Sequence, residues 1–187
     1  VSCDKSKIKD SKIKEQSIQK INSSRSPNVS ILKDSFAVEN LQGKLIYRKV
    51  WLYTPPNYKK STESYPVVYM HDGQMLFDST NTWNHQEWKV DEVLSQLISE
   101  KMIKPCIVVG IHSSKTRYAD YFPQKAFEIL PIDIKNGYMP MDSTKRTSST
   151  FPNGPQADNY LKFIVNELKP FIDSKFATIS DSNGTYV

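Results

Sequence analysis

The chain has 187 residues, of which 38% are hydrophobic and 24% are charged, a composition that suits one globular domain with its own core. Its formal net charge is +5, but residues 1–27 hold seven basic and three acidic side chains and therefore +4 of that excess. The remainder is near neutral, which argues against a nucleic-acid surface spread over the fold, and no apolar run reaches the roughly 18 residues that a membrane span needs.

Residues 1–33 are predicted to form a flexible polar tether. They are rich in Lys, Ser, Asn and Gln, and the motif SKIK occurs twice, so too little apolar surface is available to offset the entropy lost on ordering. A short amphipathic helix that uses Ile8 and Ile18 is the alternative interpretation.

The opening residues "VSC" resemble the end of a bacterial lipoprotein signal, in which a small residue precedes a cysteine that becomes lipidated. Cys3 is therefore a candidate lipid anchor, and the polar segment behind it would serve as the tether of an anchored protein. On this interpretation we expect the protein to be anchored to a membrane through Cys3 and to lie in the bacterial cell envelope. Secretion is the alternative.

Residues 34–187 are predicted to form one α/β domain. "SFAVEN" and "KLIYRKVWLYTPP" contain strand candidates, because they are rich in β-forming residues and two prolines end the second stretch. "YPVVYMH" and "PCIVVGI" are apolar runs without alternation, as expected for strands buried on both faces, and Cys106 fits there as a small core residue. "TYV" resembles the beginning of another strand.

Two helices are predicted between these strands. "EWKVDEVLSQLISEKMI" has apolar residues at helical spacing, and we expect Trp88 on its buried face and Asp91 and Glu92 at a solvated start. "QADNYLKFIVNELKPFIDSKF" also has one apolar face, and its internal Pro170 predicts a kink or a break near Leu168–Phe171.

The stretch of about residues 113–155 is predicted to be a long polar loop, which is usually functional or disordered. Strands that alternate with helices indicate a mostly parallel sheet with helices on both faces. Ligands bind such sheets beyond the carboxyl ends of the strands, and the sequence "HDGQ" lies at one of those ends.

The pair His71-Asp72 in "HDGQ" is open to two interpretations, as catalytic or metal-binding groups or as a strand followed by a tight turn at Gly73. No histidine has a partner at the i, i+4 spacing of helical zinc motifs, no Cys/His ligand spacing occurs, and GxSxG is missing. Spacing alone favours the turn. Arg117 in "RYADYFP" is predicted either to pair with Asp120 or to contact a substrate.

Four blocks taken together resemble the esterase family of α/β-hydrolases, which includes siderophore-ester hydrolases, esterase-D-like enzymes and feruloyl-type esterases. The resemblance covers about residues 36–187, and its blocks are "KVWLYTPPNYKK…YPVVYMHDGQMLFD", "EWKVDEVLSQLI", "KPCIVVGI…RYADYFP" and "YLKFIVNELKPFID". It implies a small-molecule ester substrate and no metal or cofactor.

The resemblance also implies roles for residues of the "HDGQ" loop. In this fold the loop after the third strand of the hydrolase sheet donates a backbone N–H to the oxyanion hole, so Gly73 and Gln74 are the expected donors. His71, Asp72 and Arg117 are expected to contact the substrate.

The catalytic triad is not found among the 187 residues. In this fold a nucleophilic serine follows the next strand in GxSxG, and the acid and the histidine come later still. We therefore expect the amino-terminal part of a serine carboxylic-ester hydrolase, truncated before the nucleophile and inactive alone. The alternative is a non-catalytic, surface-anchored binding module on the same scaffold.

Overall fold

The computed structural model describes residues 23–32, 35–39, 43–139, 151 and 154–187. These residues form seven strands, which in chain order are β1 (Val29–Ile31), β2 (Phe36–Glu39), β3 (Leu45–Arg48), β4 (Val50–Tyr53), β5 (Val67–His71), β6 (Ile107–Ile111) and β7 (Thr185–Tyr186). β2 pairs with β3, and the other five strands form one sheet in the order β1-β4-β6-β5-β7.

The main sheet is mixed. The β1–β4 and β4–β6 pairs are antiparallel, whereas β5 runs parallel to both β6 and β7. Because β5 and β6 are parallel and in contact, their carboxyl ends lie side by side at one edge of the sheet. The "HDGQ" loop leaves the sheet at this edge.

The stretch of residues 45–53 forms two strands that belong to different sheets. It divides at Lys49, whose carbonyl accepts a hydrogen bond from the His112 amide N–H at 3.0 Å. β3 lies in the small sheet with β2, while β4 enters the main sheet between β1 and β6. All residues of β4 and β6 are buried, which confirms the prediction of a fully buried strand at "PCIVVGI".

Six α-helical segments lie within the described residues: α1 (Val90–Ser99), α2 (Arg117–Tyr121), α3 (Gln124–Glu128), α4 (Ile132–Tyr138), α5 (Ala157–Phe163) and α6 (Lys169–Lys175). Three of them, α2 to α4, fall in the stretch that was predicted to be a loop. They contain only 5 to 7 residues each, too few to show a helical repeat of apolar positions. Prolines at positions 123 and 131 stand immediately before α3 and α4, with extended backbones (ψ 114° and 149°).

α5 and α6 are joined without interruption by a π-helical segment, Ile164–Leu168. A proline inside an α-helix lacks one N–H and its ring collides with the carbonyl four residues earlier. The wider π-helical turn directly before Pro170 relaxes that ladder of hydrogen bonds. The α-helical hydrogen-bond pattern is therefore broken just before Pro170, close to the predicted place, although the chain stays helical throughout.

Helices cover both faces of the main sheet. On one face the continuous helix buries the side chains of Tyr160, Phe163, Ile164, Leu168 and Ile172. On the other face α1 and the "HDGQ" loop cover a second cluster, which contains Trp51, Tyr53, Leu76, Phe77, Cys106 and Val108. The burial of Cys106 confirms its assignment to the core, and the two-layer covering confirms the α/β fold class.

The residues that α1 buries are not those that were predicted. Trp88 is exposed, because Lys89 adopts a left-handed backbone (φ 55°) and the helix begins only at Val90. Asp91 is fully buried and accepts a hydrogen bond from the Ser26 amide N–H at 2.7 Å. The expectation of a solvated acidic pair is therefore wrong for Asp91, although Glu92 is exposed.

The predicted tether of residues 1–33 lies only partly in the described part of the chain. Residues 1–22, which include the candidate anchor Cys3, are outside it. Val29–Ile31 forms β1 and not a flexible segment, because its backbone pairs with β4 and Val29 is buried. No helix of the described residues is long and apolar enough to cross a bilayer.

The residues just before β1 are fixed to the face of the sheet that carries α1. The contacts are the Ser23 hydroxyl to Asp78 at 2.5 Å, the Ser24 and Ser79 hydroxyls at 3.0 Å, the Ser26 N–H to Asp91, and the Arg25 guanidinium over the Trp51 ring at 5.3 Å. We call residues 23–26 the N-terminal clip.

Candidate active site

The loop after β5 turns at Asp72. This residue adopts the left-handed backbone conformation (φ 55°, ψ 41°), which Asp tolerates better than most residues, and a short 3-10 turn over Gly73–Met75 follows. Gly73 is outside the left-handed region, so its lack of a side chain has another cause. A Cβ built on Gly73 would lie 2.4 Å from the carbonyl carbon of Gly110 in β6. The predicted turn is present, but Asp72 makes it, and Gly73 lets the loop pack directly on β6.

The Gln74 side chain binds the loop that follows β6. Its Nε2 donates to the Ser113 hydroxyl at 2.8 Å, and its Oε1 accepts from the Ser113 amide N–H at 3.0 Å. Two bonds between the same two residues fix distance and orientation together. The loops after β5 and β6 are therefore held to each other at the sheet edge.

Arg117, the first residue of α2, forms a two-pronged ion pair with Asp72. Its Nε and Nη2 donate to the two carboxylate oxygens at 2.8 and 2.5 Å. The hydrogen bonds from Arg117 lower the pKa of the Asp72 carboxyl, which therefore stays ionised well below neutral pH. The pairing of Arg117 with Asp120 that we considered from the sequence is wrong, since Asp120 has a different partner.

Asp120 forms a buried ion pair with Arg48 at the end of β3. The Nη2–Oδ2 distance is 2.7 Å, and each side chain is 1% exposed. Gln156 Nε2 and Thr116 Oγ1 also donate to this carboxylate, at 2.8 and 3.2 Å. Buried charges persist when they are paired and their remaining oxygens are hydrogen-bonded. The ion pair and these two hydrogen bonds join β3 to α2 and to the residue that precedes α5.

Gly73 and Gln74 present their amide groups at the carboxyl edge of the sheet. They are the first two residues of the 3-10 turn, where N–H groups have no partner within the turn itself. Within the described part of the chain, neither amide N–H donates to a backbone carbonyl. The Gln74–Ser113 and Asp72–Arg117 contacts connect the loop that carries these amides to its neighbours.

An aromatic cleft of about 510 Å³ opens beside this loop, between α2, α3 and α5. Three rings form its inner wall, with centroid distances of 5.1 Å (His71–Tyr121), 5.5 Å (His71–Tyr160) and 5.6 Å (Tyr121–Tyr160). Pro123 and Leu161 extend the apolar lining, and charged Lys125 and Asp158 also border the cleft. We refer to this space as the aromatic cleft.

Burial sets the protonation of the rings in the aromatic cleft. Burial lowers the pKa of His71, so its ring is neutral at pH 7. Burial also raises the pKa of Tyr121 and of Tyr160, so both hydroxyls keep their protons. The three rings of the inner wall are therefore uncharged at neutral pH, although Lys125 and Asp158 border the same cleft.

The other two histidines lie away from the aromatic cleft lining. His112 is stacked on Trp51 at 5.6 Å, and burial lowers its pKa to about 4. His85 lies in an exposed turn with a left-handed backbone. Across the described residues, no group of three His, Cys, Asp or Glu side chains is arranged to hold a metal ion.

The five residues that the sequence analysis singled out within the domain lie at one place: His71, Asp72, Gly73, Gln74 and Arg117. Sequence reasoning missed Tyr121, Tyr160 and Ser113. Tyr160 lies on the apolar face of a predicted helix, and its hydroxyl among otherwise apolar side chains is the signal that could have drawn attention to it. The sequence offered no comparable signal for Ser113.

The esterase family, described as "Putative esterase", matches residues 47–186 of the chain. An IroE-like serine hydrolase from Shewanella oneidensis is similar in structure, with a TM-score of 0.51, 27% identity, and coverage of 78% of this chain and 39% of that protein. The BES protein from Bacillus cereus has a TM-score of 0.51 at 20% identity, with coverage of 86% and 52%.

A ferulic acid esterase from Anaeromyces mucronatus, solved with ferulic acid, has a TM-score of 0.45 at 16% identity, with coverage of 89% and 48%. No curated relative matches the chain. The chain thus spans about 39% of the Shewanella hydrolase and 52% of the Bacillus protein. Because the family match extends from residue 47 to residue 186, the chain belongs to this esterase family of α/β-hydrolases.

Proposed function

We propose that this chain supplies the amino-terminal part of a serine carboxylic-ester hydrolase, and that Gly73 and Gln74 donate backbone N–H groups to its oxyanion hole. The observation that carries the proposal is the geometry of the loop after β5. Its two amides lack backbone carbonyl partners among the described residues, and the Gln74–Ser113 and Asp72–Arg117 contacts hold it at the sheet edge.

The chemistry follows from what these donors face. When a serine attacks an ester carbonyl, negative charge develops on the carbonyl oxygen, and N–H groups already aimed at that oxygen stabilise it by about 3 kcal/mol per donor. An acyl-enzyme forms and water resolves it. The serine, the acid and the histidine of the triad are not among the 187 residues and would come from outside them.

The substrate in this proposal is a small-molecule ester whose body lies in the aromatic cleft. His71 contacts it directly from the cleft wall. Asp72 and Arg117 lie beside the substrate but bind each other through two hydrogen bonds. Their charges cancel, so they contact the substrate as a pair without net charge. No metal or cofactor takes part in this mechanism.

Two substitutions at Gln74 test the oxyanion role in the complete open reading frame that encodes this chain. Gln74→Pro removes the backbone N–H, and proline suits the φ of about −60° found in a 3-10 turn. Gln74→Ala keeps the N–H but loses both bonds to Ser113 and is the matched control. We expect Gln74→Pro to lower kcat by roughly 100-fold or more and Gln74→Ala to lower it far less. Equal kcat values in two folded variants would reject the oxyanion assignment.

A non-catalytic binding module is the second candidate, because the aromatic cleft is formed by described residues while GxSxG is missing from the sequence. One labelling reaction distinguishes the hydrolase from the binding module. A fluorophosphonate labels an activated serine, so covalent labelling of the product of the complete reading frame supports the hydrolase. Ester binding without labelling supports the module. The 187-residue polypeptide itself should be neither labelled nor active on short aryl esters.

We further propose that Cys3 is a lipid anchor that places the protein at the bacterial cell envelope. The support is the match of "VSC" to a lipoprotein signal and the polar residues that follow it. Expression with the native upstream sequence and a fatty-acid probe tests this. The wild-type chain should be labelled and Cys3→Ala should not, and equal labelling of both would rule the anchor out.

A further inference from the structure

The aromatic cleft adjoins a second, open groove on the outer side of α5. The volume of this groove is about 310 Å³, and its lining consists of Asp158, Leu161, Lys162, Val165 and Asn166. Asp158 and Leu161 also line the aromatic cleft, so the two spaces share one wall. We refer to this second space as the α5 groove.

The lining of the α5 groove follows from the helical repeat. Its residues recur at steps of three and four positions, so they form one side of the helix. The opposite side of the same helix lies in the core, where Tyr160, Phe163 and Ile164 are buried. Leu161 and Val165, in contrast, are 54% and 59% exposed. Two aliphatic side chains therefore lie beside the aromatic cleft without taking part in the core.

The two spaces favour different chemical groups. The rings of His71, Tyr121 and Tyr160 form the inner wall of the aromatic cleft, and such rings pack well against another ring. The apolar side chains of the α5 groove are aliphatic. Asp158 and Lys162 add charges of opposite sign to its lining, so the groove has no net charge that would attract an ionised group. The α5 groove therefore suits an uncharged aliphatic chain.

We propose that the α5 groove is a second binding subsite, which holds an aliphatic arm of a ligand whose ring lies in the aromatic cleft. The shared wall at Asp158 and Leu161 lets one ligand occupy both spaces. An arm that lies against Leu161 and Val165 removes apolar surface from water, which strengthens binding. The inference rests on the proposed function only in taking this ligand to be the ester substrate, and Val165 is then a specificity-determining residue.

Methyl benzoate and butyl benzoate test the subsite on the 187-residue chain, because they differ by three methylene groups and their binding requires no turnover. In NMR titrations of the unaltered chain, both esters should shift the ring signals of His71 and Tyr121, whereas only the butyl ester should shift the methyl signals of Val165. A methylene that is half-buried in an open groove contributes about two-fold in Kd, so butyl benzoate should bind roughly eight-fold more tightly. Unshifted Val165 methyl signals at saturation with butyl benzoate would overturn the proposal.

One substitution locates the gain in affinity. Val165→Gln replaces an exposed aliphatic side chain that lines the α5 groove but not the aromatic cleft, and glutamine favours helix, so the fold should be unaffected. It should at least halve the ratio of the two Kd values and leave the Kd of methyl benzoate unchanged. Val93→Gln is the matched control, because Val93 is an exposed valine of α1, on the other face of the sheet. The control should keep the full ratio, and an equal ratio in Val165→Gln and the control would reject the subsite.

A segment of the chain itself is the other candidate occupant of the α5 groove. Nuclear Overhauser contacts from the Val165 methyl groups to a segment remote in the sequence, observed in the chain without ligand, would show such an occupant and contradict the proposal. We expect no such contacts. Failure of the esterase proposal is a separate result, because the fluorophosphonate could leave the product of the complete reading frame unlabelled while both esters bind the 187-residue chain as expected.

Discussion

Replacing Gly73 by Ala should destabilise the fold through a collision between two backbones. The added Cβ would lie 2.4 Å from the carbonyl carbon of Gly110, 2.5 Å from its oxygen and 2.7 Å from the Ile111 nitrogen. Real contacts of this kind are essentially never shorter than 3.0 Å, so β6 or the loop must move. Overpacking costs about 1–3 kcal/mol, and backbone neighbours cannot yield as a flexible side chain can, so we expect the upper end of that range.

Thermal unfolding followed by far-ultraviolet circular dichroism measures this cost. For a chain of this size 1 kcal/mol shifts Tm by about 2–4 °C, so Gly73→Ala should lower Tm by about 6–12 °C. Gly137→Ala is the matched control, because a Cβ at this position in α4 meets nothing within 4 Å and alanine favours helix. Its Tm should stay the same or rise slightly. An unchanged Tm in Gly73→Ala would show that Gly73 does not pack on β6 as described.

The remaining predictions concern buried or paired groups. Asp120→Ala should lower the free energy of unfolding, measured by chemical denaturation, by about 3–5 kcal/mol, because it leaves the buried Arg48 guanidinium without its carboxylate partner. A loss below about 1 kcal/mol would contradict the buried pair. The Asp72–Arg117 pair should stabilise the fold above the ordinary Asp pKa of 3.8 and lose this effect as pH falls towards the lowered pKa of the folded state. NMR titration should show that Arg117→Gln raises the Asp72 pKa, and an unchanged pKa would mean that the pair does not form in solution. Burial raises the pKa of the Cys106 thiol, so mass spectrometry should find its peptide modified only as the chain unfolds, and fast modification of folded protein would contradict its burial.

Local patterns in the sequence predicted the elements that bury the most surface. "PCIVVGI" forms β6 and "YPVVYMH" forms β5, because strands covered on both faces need apolar residues at successive positions. The same logic placed the "HDGQ" loop at the carboxyl edge, where the structure has it. Pro170 predicted a disturbance of the helix near Leu168–Phe171, and the structure has one in the π-helical segment Ile164–Leu168, although no local pattern announces that form of disturbance.

Contacts between residues that are distant in the chain could not be predicted from the sequence. Arg117 lies three positions from Asp120, and this closeness in the chain favoured a pair between them. The actual partner of Arg117 is Asp72, which is 45 positions away. Tyr160 and His71 are 89 positions apart, and the helical repeat showed only that Tyr160 faces the core. Which polar atoms meet inside a core depends on how the elements pack, and the pattern of one element does not contain that information.

The N-terminal clip limits where the domain can sit on a surface. It ties Ser23 to the α1 side of the sheet, whereas the aromatic cleft lies against α5 on the other side. If Cys3 is inserted in a bilayer, 19 residues lie between it and Ser23, and a stretch of that length spans at most about 70 Å even when fully extended. The domain would then be attached to the membrane from its α1 side, within that distance of the lipid. The aromatic cleft would stay open to ligands that arrive from the aqueous phase.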